Sequence, residues 1–306
     1  MSVADSEDLV DTFIPTAPFT APNGDVILRS SDGADFHVYR AILSLVSPVF
    51  RDMFSMPQPE SEPPIPVIPV QEDAAILGKA LRFIYPGMEP TIASAAELRD
   101  IFDVLISKYD MQTIIPTAKR DLERLIIDQP LAVYSVAVTH RWMDLALAAA
   151  KGSLKLRLRV ADKPAPPELL YISATAYHNL LHYHHRCGLA AQAAASSLRW
   201  IPAQRRTEDV WFSCNLCAAG QIEYLSGGAY GTPRTWFMTY LTRTGTALAE
   251  APGLDLERHE SVYIALKTAA GCKTCNTKAF TQFPIWVREA LQWQIAQAVE
   301  KVELEF

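Results

Sequence analysis

The chain has 306 residues, with 28 Lys and Arg against 34 Asp and Glu, a formal net charge of −6 and an isoelectric point near 5.7. This balance argues against a general nucleic-acid binder or a protein held on anionic membrane. No run approaches the roughly 18 apolar residues of a membrane span, and the start, with Asp5, Glu7, Asp8 and Asp11, lacks the basic and apolar regions of a secretory signal. The expectation is an intracellular protein, cytoplasmic or nuclear, whose five cysteines are reduced or metal-bound.

Residues 1–21 are acidic and rich in Pro and Thr, which predicts a mobile tail. From Asp25 the pattern alternates in pairs. Val26 and Leu28, then Phe36 and Val38 across a Ser-Asp-Gly turn, predict a β-hairpin, with Asp32-Gly33 supplying the residues that tolerate positive φ. The period then becomes helical. Ile42, Leu45 and Val46 mark a short amphipathic helix. Ser47 and Pro48 open a second as N-cap and first-turn proline, with Val49, Phe50, Met53 and Phe54 on its buried face. A proline-rich insert, residues 57–66, cannot be helical and reads as a surface loop. Val67 to Val70 predicts a third strand. Ala74 to Tyr85 predicts a helix that ends at Pro86-Gly87, and the stripe of Leu98, Ile101, Phe102, Leu105, Ile106 and Tyr109 predicts another.

The order of these residues resembles the BTB (POZ) domain. The family pattern of an Asp before an apolar strand, a second strand ending in His, and a helix with apolar residues, Ser and Phe reads here as Asp25-Val26, Phe36, His37, Ala41, Leu43, Ser44, Ser47, Phe50 and Phe54. The likeness covers about the first two-fifths of the chain and rests on many positions in order. It implies an α+β fold, a small sheet flanked by helices, over residues 22–128. His37 would be a framework histidine satisfying a local hydrogen bond, and Asp25 would lie near the subunit surface or cap local backbone.

Beyond residue 128 the sequence predicts a mainly helical extension, residues 129–306, packed onto the first unit because Asp128-Gln129-Pro130 is too short for a flexible linker. Helices are expected at 111–127, 131–140 and 145–158. A boundary follows at 161–167, then a long helix opening at Pro166-Pro167-Glu168 and running to about Ser197. Further helices are expected at 233–250, 256–270 and 284–302.

Two Cys-x-x-Cys pairs stand out, Cys214/Cys217 and Cys272/Cys275, separated by 54 residues. Two residues between thiols let both sulfurs of a turn reach one ion about 2.3 Å away, and two such turns close a tetrahedral structural zinc site with no position left for water. The expectation is that the four sulfurs lie within about 4 Å of one another. The alternatives are four unliganded thiols in turns, or a dithiol redox pair. The likeness to BTB proteins common in fungi, which carry a long helical tail with paired cysteines, favours the zinc. His182, His185 and Cys187 hold metal only on an irregular helix. Their plainer reading is a polar helix end, with Cys187 an ordinary helix thiol.

No nucleophile elbow, phosphate loop or His-Glu-x-x-His motif is present, so the chain is read as a non-enzyme. The resemblance implies a protein–protein interaction module that self-associates or recruits partners, as an adaptor or scaffold in ubiquitin ligation or transcriptional regulation. A cullin partner lacks motif support: the apolar-x-Glu signature is replaced by Met56-Pro57-Gln58. The short N-terminal arm offers only Leu9, Val10, Phe13 and Ile14 for a swapped dimer. The competing reading is a thiol- or metal-dependent enzyme using Cys214 or Cys272 as nucleophile and His182 or His259 as base.

Overall fold

The computed structural model describes residues 15–56, 65–88, 90–92, 94–158 and 170–306. The N-terminal arm residues Leu9, Val10, Phe13 and Ile14, most of the proline-rich insert, and the boundary at 161–167 lie outside the described residues. The chain divides into two compact units, Met1–Val136 and Ala137–Phe306.

The first unit opens with strands β1 (Val26–Arg29) and β2 (Asp35–Val38), paired antiparallel from Val26 opposite Val38 to Arg29 opposite Asp35. Gly33, at φ +89°, makes the turn between them, and Asp32 needs no positive φ: its side chain instead accepts from the N–H of Ala74. Alternation puts Val26, Leu28, Phe36 and Val38 in the core. Helix α1 (Arg40–Val46) and helix α2 (Pro48–Ser55) follow. Strand β3 (Val67–Pro69) then lies parallel to β1, giving the sheet order β2-β1-β3. Helices α3 (Ala74–Ile84), α4 (Ala95–Phe102) and α5 (Ile115–Leu125) complete the unit, and α6 (Pro130–Thr139) carries the chain across the division at Val136. A π-helical turn, Asp103–Lys108, continues α4 and keeps Leu105 and Tyr109 buried.

Three details differ from the sequence reading. In α1 the core residue is Leu43, whereas Leu45 is 80% exposed; a two-turn helix is too short for its stripe to be placed by period alone. In α2 only Phe50 is fully buried, while Val49 is exposed and Met53 and Phe54 are half-buried. Finally, Phe19, from the segment read as a mobile tail, is a core residue. Its ring packs against Phe36 and edge-on to Tyr85, at centroid distances of 6.0 and 5.0 Å, and its carbonyl accepts from the N–H of His37.

Among its described residues the second unit is helical, with one small hairpin. Helix α7 (Met143–Ser153) precedes the long α8 (Ala174–Ser196), capped by Ser173, whose side chain accepts from the N–H of Ala176. Short helices α9 (Arg205–Glu208) and α10 (Val210–Ser213) lead to a two-stranded hairpin, β4 (Glu223–Tyr224) with β5 (Tyr230–Gly231). Its strands are too short to leave a periodic signal. Helix α11 (Thr235–Glu250) packs along α8, where Gly188 allows close approach: a Cβ there would stand 2.5 Å from the carbonyl oxygen of Ala249. Helix α12 (Glu260–Ala270), α13 (Cys275–Trp286), a π-helical turn at Val287–Leu291 and α14 (Gln292–Glu300) end the chain.

The helix expected to open at Pro284 thus begins at Cys275, as α13, and runs through the proline. A proline inside a helix removes one donor and crowds the turn before it. The burial of Phe283 and Trp286 against Trp211 and Phe237 overrides that preference.

Candidate metal centre

Cys214 ends α10 and Cys217 sits in the turn that follows. Cys272 lies in the turn after α12, and Cys275 is the first residue of α13. Cys275 thus stands at a helix start, where backbone N–H groups are free, and Cys214 follows a helix end, where the N–H groups of Leu216 and Cys217 in the next turn reach its sulfur. The two turns meet although 54 residues separate them in sequence. The cores of α10 to α13 bring them together: Val210, Trp211, Phe212, Phe237, Ala269, Ala279 and Phe283 share one buried cluster with Cys214 and Cys275.

The sulfurs pair across the turns. Cys214 Sγ lies 3.6 Å from Cys272 Sγ, and Cys217 Sγ lies 3.6 Å from Cys275 Sγ. All four lie within 4.8 Å of one another, compared with an edge of about 3.8 Å for a tetrahedron with ~2.3 Å bonds. None of the four is in a disulfide. Cys214 and Cys275 are buried, whereas Cys217 and Cys272 are half-buried.

The four thiols are not equivalent. Burial opposes ionisation of Cys214, but the backbone N–H groups of Leu216 and Cys217, followed by the Cys275 and Cys272 thiols, outweigh it and hold the group down at about 6. Burial, with the neighbouring sulfurs, pushes Cys217 up to about 11 and moves Cys275 upward as well. Four sulfurs this close cannot all carry charge unless a cation sits among them. The donor set suits a soft or borderline divalent ion, since it is all sulfur, closed, and supported by N–H groups directed at Cys214.

The other residues singled out from sequence stand apart from this cluster. Cys187 is fully buried on α8, where burial raises its thiol to about 11. His182 is exposed and stacks on His178 at 6.1 Å. His259 caps α12, its Nδ1 2.9 Å from Ser261 Oγ. Neither histidine belongs to the group of ligand atoms around the cysteines. In the first unit Asp25 caps backbone as expected, accepting from the N–H of Arg40 at 2.7 Å. By contrast, His37 Nδ1 is buried without a hydrogen-bond partner among the described residues, so the local bond expected of it is not made by that atom there.

A three-stranded sheet with one parallel and one antiparallel pair, together with α1 to α5 in the same unit, defines a small α+β domain. Residues 22–125 match the family model for the BTB/POZ domain. The chain therefore carries a BTB/POZ domain, a protein–protein interaction module, followed by a helical region in which four cysteines lie close together. No curated protein matches the chain. No helix among the described residues is long and apolar enough to cross a membrane.

Proposed function

We propose that the protein is an intracellular, non-enzymatic scaffold or adaptor whose BTB domain self-associates or recruits a protein partner, and whose C-terminal extension is held by a structural zinc ion. The observation that carries the first half is the apolar surface of one short segment. Tyr39, Leu45, Val49 and Met56 are all exposed within or beside α1 and α2. Large apolar side chains exposed close together in sequence can mark an interaction site. Among the described residues no strand pairs with the outer side of β3, which a second chain can extend, whereas the outer side of β2 is partly taken by Phe19, whose carbonyl accepts from the N–H of His37. Leu45→Glu tests it. At 80% exposure the change should leave the fold intact, so analytical ultracentrifugation should show weakened self-association at an unchanged melting temperature. A sedimentation profile identical to wild type removes this surface from the reading. Roles in ubiquitin ligation or transcriptional regulation would follow from the identity of the partner.

The second half rests on the four-sulfur cluster. Cys214, Cys217, Cys272 and Cys275 would hold the ion, which supplies the positive charge that lets four neighbouring thiolates coexist. With every position taken by sulfur, such a site holds structure and activates no water. Metal analysis of the purified, reduced protein tests it, and close to one zinc per chain is expected. The low thiol of Cys214 fits a nucleophile as well as a ligand. Its burial, at 1% exposed, favours the ligand, because a nucleophile must be reached by its substrate. Rapid alkylation of Cys214 in the zinc-loaded protein would turn the reading toward thiol chemistry.

A further inference from the structure

A second site lies away from the cysteines, between α9 and the end of α13. Asp209 follows α9 and is only 1% exposed. Its Oδ1 accepts from Arg205 Nη1 at 3.2 Å, while its Oδ2 is buried with no hydrogen-bond partner among the described residues. A carboxylate oxygen withdrawn from water and left unpaired is costly, and such atoms are rare. Asp209 lines a cavity of about 490 Å³ together with Glu208, Glu289, Ile285, Trp286 and Ala290.

The cavity has two characters. Ile285, Trp286 and Ala290 form an apolar wall. Glu208, Asp209 and Glu289 supply three carboxylates, and among the described residues Arg205 is the one cation lining the space. Arg205 is shared between Asp209 and, at 4.0 Å, Glu208, while Glu289 has Arg288 at 3.0 Å from outside the lining. Negative charge is therefore in excess. The walls are also fixed: Gln282 on α13 accepts from the N–H of Val210 and donates to the carbonyl of Glu208, both at 3.2 Å, which ties α13 to the α9–α10 segment.

We infer that this cavity binds an alkylammonium group, its apolar stem on Ile285, Trp286 and Ala290 and its charged head among the carboxylates of Asp209, Glu208 and Glu289. A lysine side chain of a protein partner and a free aliphatic polyamine share that chemistry. Both bring the apolar stem and the cationic tip that the two halves of the cavity complement.

The test is titration of the full-length protein with n-pentylamine at neutral pH, followed by calorimetry and by tryptophan fluorescence, since Trp286 lines the cavity and stacks on Trp200. Saturable binding is expected, with n-pentanol at least about tenfold weaker because it lacks the charge. Asp209→Asn, close in shape, should weaken n-pentylamine about tenfold, and Glu289→Gln only about two- to threefold, as expected for a more exposed charge. If Asp209→Asn does not fold, the Glu208→Gln/Glu289→Gln double variant should still weaken binding severalfold. The inference is overturned if n-pentylamine does not saturate in the millimolar range, if n-pentanol binds equally, or if neither variant changes affinity. Spermidine and an acetylated Gly-Lys-Gly amide then separate the sources: tighter binding of either supports the site and assigns its ligand.

Discussion

The two units close their cores by different means. In the first, a small sheet supplies one wall and long-range polar contacts pin the helices to it. Tyr85 accepts from the N–H of Tyr39, and Glu72 receives both Lys108 and the Tyr109 hydroxyl. In the second, a block of aromatic rings from α10, α11 and α13 forms the centre. Trp211, Phe237, Phe283 and Trp286 all lie within 6.3 Å of one another by ring centroid. At the edge of this block sit the four cysteines. A unit with a sheet has its distant segments joined by strand pairing. Among its described residues the helical unit has for such a ladder only the two-residue strands β4 and β5, and a cross-link between loops far apart in sequence can take its place. The comparison predicts that the units fail differently when each is damaged at its own fastening.

The largest effect is expected at the cysteines. Cys272→Ser should abolish stoichiometric zinc and lower the melting temperature of the C-terminal unit sharply, because a structural ion can contribute on the order of 10 kcal/mol to folding. Self-association through the first unit should persist. Chelation of the wild type should reproduce the effect. If Cys272→Ser melts as the wild type does, the helices close this unit without a metal and the contrast between the units disappears. Phe50→Asp comes next, in the first unit. The ring is buried and stacks 4.6 Å from Tyr109 and 6.0 Å from Phe54. An unpaired charge there should cost roughly 3–5 kcal/mol while leaving zinc content unchanged. Calorimetry and metal analysis together check both outcomes.

Much of this contrast is legible in the sequence. The hairpin shows because Val26, Leu28, Phe36 and Val38 alternate around a Gly turn. The four-cysteine cluster shows because equal spacing within each pair limits what the thiols can reach. Other features are hidden for physical reasons. Phe19 looks like part of a tail because no periodic neighbours surround it, and only its partners Phe36 and Tyr85 reveal its burial. Pro284 looks like a helix start because local preference says so, whereas tertiary packing of Phe283 and Trp286 decides otherwise. Asp209 leaves no signal at all: its importance comes from burial and an unpaired oxygen, which no spacing encodes.

A smaller effect tests the long-range polar contacts of the first unit. Ser47 caps α2 by accepting from the N–H of Phe50 at 3.1 Å, and its hydroxyl donates to the carbonyl of Tyr109 at 2.6 Å, across 62 residues. Ser47→Ala removes the cap and leaves a buried carbonyl without its donor. Together these should cost about 2 kcal/mol. Chemical denaturation should show a lower midpoint for the first unit alone. A loss of a few tenths of a kcal/mol would mean that the cap is replaceable and that the sheet suffices.

The smallest effect concerns the second unit and its pH dependence. Burial raises the Asp209 carboxyl from its ordinary 3.8 to about 6, against the opposing pull of Arg205. In the unfolded chain the group ionises near its ordinary value, so between about pH 4 and pH 6 the folded state holds a proton that the unfolded state has released. Stability therefore falls as pH rises through this window, and above pH 6 the folded protein carries the full cost of a buried charge. Below pH 4 both states are protonated and the group contributes nothing. Asp209→Asn cannot ionise. It should therefore match the wild type near pH 4 and be more stable at pH 7.5, by about 1–2 kcal/mol once the lost contact with Arg205 is set against the relief. Melting curves of the two proteins at the two pH values check this. A variant less stable than wild type at pH 7.5 would mean that the Arg205 pair outweighs the burial, and that Asp209 fastens α9 to α10 at no net cost.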